Sequence, residues 1–218
     1  LTLSTYAAQV DDVNHRDRLA RVATSTRDAL LDAAEQLLDA GGIDAVTLRE
    51  VGRLAGVSHN APYKHFASKE VLLAAVAARE LRRRRDQLAA ALERDEQPEA
   101  ALRGALVRYA EWAIAFPARF KLIYGRWTIA VPGELADAAH AASQQLIATV
   151  AAVQQRGGLP PGDPERLTAL LRATAHGAAD LTLAGHLSPD GKGRADATGL
   201  IGDLLGHLAA NQPERQQP

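Results

Sequence analysis

The sequence predicts an all-α protein, on three observations. Alanine and leucine recur at three- and four-residue spacings, no alternating apolar–polar run is long enough for a strand, and glycine or proline breaks cut the chain into helix-length pieces. The breaks fall at Gly41-Gly42, Ala55-Gly56, Phe66-Ala67, Glu96-Pro98, Phe116-Pro117, Val131-Gly133, Gly157–Pro164 and Leu187–Gly193. They leave about nine helices. The first three are short, the fourth (roughly Ser68–Arg94) is long, and the rest form a second helical block. The expected layout is a basic, flexible extension over 1–24, a first domain of three short helices over 25–70, a second helical domain over 71–210, and a polar tail over 211–218.

In the first domain, Thr26 is placed to cap a helix with Leu30, Ala33, Ala34, Leu37 and Leu38 on its inner face, closed by Gly41-Gly42. Thr47 opens a second helix with Glu50 at capping-box spacing, and Leu48, Val51 and Leu54 are its expected buried face. Gly56 allows the tight turn before Val57. Ser58 is read as the cap of a very short third helix, His59–His65, ending at the apolar anchor Phe66; Ser68 caps the fourth.

Two short helices joined by a glycine turn describe a helix-turn-helix, and spacing alone leaves DNA binding no more than an even choice. Composition tips it. His59, Asn60, Lys64 and His65 point outward, Tyr63 adds a phenol, and from Arg49 to Lys69 there are four basic residues against one acid. The whole chain carries a net charge of only −1, so this excess is local and suits a surface that meets phosphates. Arg16, Arg18, Arg21 and Arg27 in the leading segment suit a minor-groove arm or, equally, a solvated tail. Arg82–Arg85 is read as a solvated or salt-bridged stretch, because four consecutive helical residues point in nearly all directions.

The run Gly42-Ile43-Asp44-Ala45-Val46-Thr47-Leu48-Arg49-Glu50-Val51, then Ala55-Gly56-Val57-Ser58, Pro62-Tyr63-Lys64-His65-Phe66 and Ser68-Lys69-Glu70-Val71-Leu72-Leu73, resembles the N-terminal domain of tetracycline-repressor-type (TetR family) regulators. The resemblance implies a homodimeric, one-component transcriptional regulator that binds near-palindromic double-stranded DNA. It further implies that Thr47, Tyr63, His65 and Lys69 hold phosphates and that Arg49, His59, Asn60 and Lys64 sit near base edges. Ala61 and Pro62 depart from the commoner pattern. Ala61 still suits a thymine methyl, and Pro62 is tolerable in or just past a first turn, where backbone N–H groups lack partners.

The second block suits a ligand other than DNA. Both tryptophans and four of the seven other aromatics lie between residues 109 and 127. Singly, each reads as core. Together, Tyr109, Trp112, Phe116, Phe120, Tyr124 and Trp127 suggest a lined cavity. The uncharged run Ala138–Gln155 is expected to be surrounded by protein and to offer Gln144, Gln145 and Thr149 as polar contacts, with His176 a further one. The expected effector is a small, largely apolar molecule. A carboxylate would need Arg119, Lys121, Arg126 or Arg172.

On the last helix, Leu200, Ile201, Leu204, Leu205 and Leu208 take one side, with Ala195, Gly199, Gly202, Gly206 and Ala210 opposite. Glycine inside a helix costs about 0.8–1 kcal/mol relative to alanine, so the stripe suggests a close backbone. A subunit interface that also uses Gly177 and Leu181 explains it, as does a contact within one chain. The family resemblance implies dimerisation through the last two long helices.

Other classes find less support. There is no cysteine, which excludes disulfides and thiolate chemistry. No His-x3-His pair, Gly-rich phosphate loop or Gly-x-Ser-x-Gly turn occurs, and His140 with His176 is the one pair that could meet inside. The chain is therefore expected not to be an enzyme and to need no cofactor or metal. Residues 1–10 run into Asp11 and Asp12 rather than a cleavage site, and the longest uncharged run is too polar to span a membrane. A cytoplasmic regulator is the expectation, most simply a repressor released by its effector. A DNA-binding protein of the same fold that senses nothing is the alternative.

Overall fold

The computed structural model describes residues 26–94, 97–125, 127, 130 and 132–210. The 1–24 extension with its arginines, Arg126 and the 211–218 tail lie outside them. The described residues form nine helices: α1 (26–45), α2 (Leu48–Leu54), α3 (Ala61–His65), α4 (Lys69–Glu93), α5 (Pro98–Ala115), α6 (Pro117–Tyr124), α7 (Gly133–Gln155), α8 (Pro164–Leu183) and α9 (Ala197–Ala210). The chain divides into two compact units, one ending at Val76 and the other beginning at Ala77, with the boundary inside α4.

In the first unit, α1 buries Leu30, Leu31, Ala33, Ala34 and Leu38. Thr26 is already helical, so its expected capping falls at the limit of the described residues. Helical turns continue past the expected stop to residue 45, with Gly42 held at φ 71°. The Thr47 side chain caps α2 by accepting from the Glu50 N–H at 3.1 Å. The capping box closes on that side only, because the Glu50 carboxylate turns to Arg53 at 2.8 Å.

The end of α2 explains the turn. Gly56, at φ 66°, lets its own N–H reach the Arg53 carbonyl and the Val57 N–H reach the Gly52 carbonyl, which satisfies carbonyls that a helix end leaves orphaned.

Two expectations are corrected here. Leu54 is 41 % exposed, and the buried residues of α2 are Val51 and Gly52. The third helix begins at Ala61, not His59. Its N-cap is Asn60, without a side-chain cap bond, while Ser58 accepts from the Ala61 N–H through its carbonyl. Pro62 sets this start. It has no N–H to give a preceding turn, so it sits where that N–H would be orphaned anyway, and its ring is buried.

In the second unit, α5 packs against α6, α7, α8 and α9, and α8 against α7 and α9. The core gathers Leu102, Leu106, Ala110 and Ala113 of α5 with Phe120, Val150, Leu171, Ala175, Ala179 and Ile201. Asp163 caps α8 by accepting from the Glu165 and Arg166 N–H groups, and Asp196 accepts from the Gly199 N–H at 2.6 Å near the start of α9.

The run Ala138–Gln155 is not surrounded by protein. Helix α7 starts earlier, carries Glu134 and Asp137, and buries one face through Leu135, Ala138, Thr149, Val150 and Val153. Alanine and glutamine tolerate water, so lack of charge did not force burial. On α9 the leucines pack on the core as expected. A Cβ at Gly202 would meet the Arg103 guanidinium of the same chain at 3.3 Å, and one at Gly206 nothing within 4 Å. Within one chain, no second backbone lies against the stripe at those two positions.

Gly52 offers a test of the α2–α3 geometry. An added Cβ would stand 2.7 Å from Pro62 Cγ, part of a rigid ring. Alanine in a helix normally gains about 0.5–1 kcal/mol over glycine. Here overpacking is expected to reverse that, and Gly52→Ala should lose about 1–3 kcal/mol in urea unfolding. Gly104→Ala, whose methyl meets only the movable end of Arg108, is the control and should lose nothing. Equal stability of the two variants would contradict the close α2–α3 contact.

Candidate functional sites

The first unit presents a polar surface around α3. Ser58, His59, Asn60, Tyr63 and Lys64 are exposed, Tyr63 at 52 %, more than the unit's exposed aliphatics Ile43 and Leu54. The His59 and Tyr63 rings stand 5.9 Å apart across the turn into α3. His65, expected to point outward, is half-buried with its ring 6.4 Å from Phe66. Ala61 and Lys69 are half-buried too, while Thr47 and Arg49 on the facing end of α2 are exposed. Thr47 uses its oxygen as the α2 cap, which leaves its hydroxyl proton free to be donated outward. The Arg27 guanidinium lies 5.5 Å over the Phe66 ring, so α1 ties it to the anchor below α3. Among the described residues from His59 to Lys69 there is no carboxylate.

The second unit contains a cavity of about 1000 Å³ between α4, α5, α7 and α8. Of the aromatics expected to line it, Tyr109, Trp112, Tyr124 and Trp127 do, with His176 opposite. The phenol of Tyr109 hydrogen-bonds His176 Nδ1 at 2.8 Å.

Five expectations are corrected. Phe120 is buried core behind the wall, its ring 4.6 Å from His176 and 5.6 Å from Tyr124. Phe116 is 36 % exposed at the end of α5 under the Arg119 guanidinium, because the chain turns there into Pro117. Gln144 is exposed on the outer face of α7, which turns Ser143 and Leu146 to the cavity instead. Thr149 bonds the Gln145 carbonyl of its own helix. His140 is exposed and does not meet His176. Gly177 also lines the cavity.

Arg84 is the residue that sequence reasoning missed. Its side chain is 17 % exposed, its guanidinium lies 3.5 Å from the centre of the Trp112 ring and 5.3 Å from that of Tyr109, and it lines the cavity. The signal was present. Ala77, Leu81, Arg84, Leu88 and Ala91 follow a four–three–four–three spacing, so Arg84 shares the buried stripe of α4 while Arg83 turns outward. Burial pulls Arg84 below its ordinary pKa, opposed by Tyr124, Glu80 and Tyr109.

Burying a charge costs several kcal/mol, and a desolvated cation–π stack returns about 2 kcal/mol, so the stack alone does not offset it. Glu80 lies 3.5 Å away, but the same carboxylate also stands 3.7 Å from Arg83 and 3.6 Å from Arg119. Of the cations considered for a carboxylate, Arg172 lines the wall, Arg119 is engaged by Glu80 and Phe116, and Lys121 is exposed.

Comparison with known proteins matches both units. A family model for bacterial regulatory proteins of the tetR family matches residues 30–76, and one for the tetracyclin repressor-like C-terminal domain matches residues 102–198. A protein of unknown function from Rhodococcus sp. RHA1 is 30 % identical, over 85 % of this chain and 94 % of its own, with a TM-score of 0.72. RolR, solved in complex with resorcinol, shares the fold at 17 % identity, over 87 % of this chain and 90 % of its own, with a TM-score of 0.60. The HTH-type transcriptional regulator SrpR of Pseudomonas putida is 41 % identical over 64 residues, 29 % of this chain and 30 % of its own. The chain spans between 30 % and 48 % of the length of the curated relatives it matches.

The Tyr109 phenol gives a measurable consequence. Burial, then the neighbouring Tyr124, push its pKa far above its ordinary value near 10, against Arg84 and Arg172. Above pH 10 the folded state therefore holds a proton that the unfolded chain releases, so this contribution is complete below pH 10 and is lost as pH rises. Urea unfolding from about pH 9 to about pH 11 should show a shallower loss of stability for Tyr109→Phe than for the parent. Parallel curves would contradict the burial of this phenol.

Proposed function

The chain belongs to the TetR family of bacterial regulatory proteins, and from that premise we infer that it binds DNA through its first unit and is released by a small molecule held in its second. The observation that carries the reading is the division of chemistry. An exposed, carboxylate-free polar surface surrounds α3 in one unit, and an aromatic cavity stands in the other. In this reading Thr47, Tyr63, His65 and Lys69 meet phosphates, and Arg49, His59, Asn60 and Lys64 approach base edges. Arg27, Ser58 and Ala61 flank them.

The chain acts as a homodimer, so that two α3 helices enter successive major grooves about 34–36 Å apart. Exposed apolar side chains on α8 support this. Leu170 is 50 % and Leu181 46 % exposed in the single chain, on the stripe that also holds Ala173, Gly177 and Ala184, and Gly199 and Gly206 are exposed on α9. Repression is by occupancy. An effector in the cavity favours a conformer with a different separation of the two α3 helices, and it must bind that conformer more tightly than the other. Helix α4 runs unbroken from Lys69 to the cavity-lining Leu81, Arg84 and Leu88 and is the proposed link. The aromatic lining from Tyr109, Trp112, Tyr124 and Trp127 supports a largely apolar effector.

Footprinting on the DNA flanking the protein's own gene tests this directly. Two protected half-sites with near two-fold symmetry are expected of a dimer, and one half-site protected at one chain per DNA would contradict it. On that DNA, Lys69→Ala should weaken binding to every sequence and reduce the salt slope by about one. His59→Ala should change the preferred sequence in a randomised library. Uniform loss across the library for both variants would remove His59 from the base-reading set.

A further inference from the structure

Two buried donors, on residues that line the cavity, lack an acceptor. The Arg84 Nε and the Trp112 Nε1 are buried, and neither has a hydrogen-bond partner. Buried polar groups are normally paired, so two unpaired donors on stacked neighbours mark a place where an acceptor is missing. The stack fixes their geometry. The Trp112 indole covers one face of the Arg84 guanidinium, and one of its amino groups donates to Glu80 at 3.5 Å.

The charge balance points the same way. The lining residues include four arginines, at positions 84, 85, 108 and 172, against Glu80 and Glu111. Glu80 is shared with Arg83 and Arg119, so it does not neutralise Arg84 by itself. Arg85 is engaged by Asp86 at 2.6 Å. The wall is thus short of negative charge beside Arg84.

We propose that the cavity binds an aromatic monocarboxylate, its oxyanion beside the Arg84 guanidinium and its ring among Tyr109, Tyr124, Trp127 and His176. The proposal rests on the reading of this cavity as the effector site. A carboxylate matches the donor edge of a guanidinium, whereas a phosphate dianion would bring a second charge toward Glu80 and Glu111. Flat rings stack on or meet edge-on the aromatic walls, which already pack that way among themselves, Tyr109 against Tyr124 at 5.9 Å and Tyr124 against His176 at 5.1 Å. The cavity volume of about 1000 Å³ accommodates a fused two-ring acid.

The test titrates the full chain with 2-naphthoate and its neutral isostere 2-naphthamide, followed by calorimetry and tryptophan emission. Naphthoate is expected to bind more tightly by about tenfold or more, the scale of one charged hydrogen bond. Arg84→Gln should erase that preference by weakening the acid more than the amide. Arg84→Lys keeps a charge beside Glu80 should the glutamine variant not fold. It should reduce the preference, since an ammonium has neither the planar stack nor the donor edge. Decanoate, an anion without rings, should bind more weakly than naphthoate. Equal affinity for acid and amide in the parent, or a preference that survives in both Arg84 variants, would overturn the anionic assignment and leave the cavity as a ligand site. Tighter binding of decanoate would overturn the aromatic one. Binding of none of the three would overturn the effector-site reading and this proposal together.

Discussion

The second unit depends on the way α5 is enclosed. Four helices pack around it, which they do where Ala101, Ala110 and Ala113 let their axes come close. One turn of the same helix carries Tyr109 and Trp112, which line the cavity and meet His176 of α8 and Arg84 of α4. Small residues on α5 allow close packing, and the large ones face the cavity. The rest of the wall answers to that. Phe120 supports the His176 ring from behind, and Arg84 lies over Trp112 with too little negative charge nearby to neutralise it.

Much of this was legible in the sequence because it rests on local rules. Thr47, Gly56 and Pro98 each punctuate a helix, and each does so where a cap, turn or first turn requires that residue type. The buried faces of α1 and α9 follow helical spacing. The departures come from contacts between elements. Pro62 delays α3 because its ring fills the space over Gly52, and no periodicity announces that pairing. Leu54 is exposed for the same reason, since α2 turns Gly52 rather than its last leucine toward α3. Arg84 was hidden among four arginines, although its spacing from Leu81 and Leu88 placed it inward. Helix α7 lacked charge without needing burial, because alanine exposes little apolar area and glutamine none that water rejects.

The two units use opposite chemistry on a chain of net charge −1. Around α3 the polar groups are exposed and no acid intervenes, which suits contacts that salt weakens. In the cavity wall Arg84 and Tyr109 are desolvated, so a buried donor without an acceptor matters more there. A regulator needs both, together with a means by which occupancy of one alters the other. Such coupling is typically 1–3 kcal/mol, about five- to 150-fold in affinity.

That coupling is the central claim, and a variant that fills the cavity tests it without any ligand. Ala142 on α7 lines the wall, so Ala142→Trp places an indole where an effector ring would sit. Fluorescence anisotropy on the footprinted DNA should show operator affinity changed by about tenfold, with affinity for unrelated DNA unchanged. If 2-naphthoate no longer binds the variant, showing the cavity to be filled, while operator affinity equals that of the parent, the cavity does not govern DNA binding and the account is wrong.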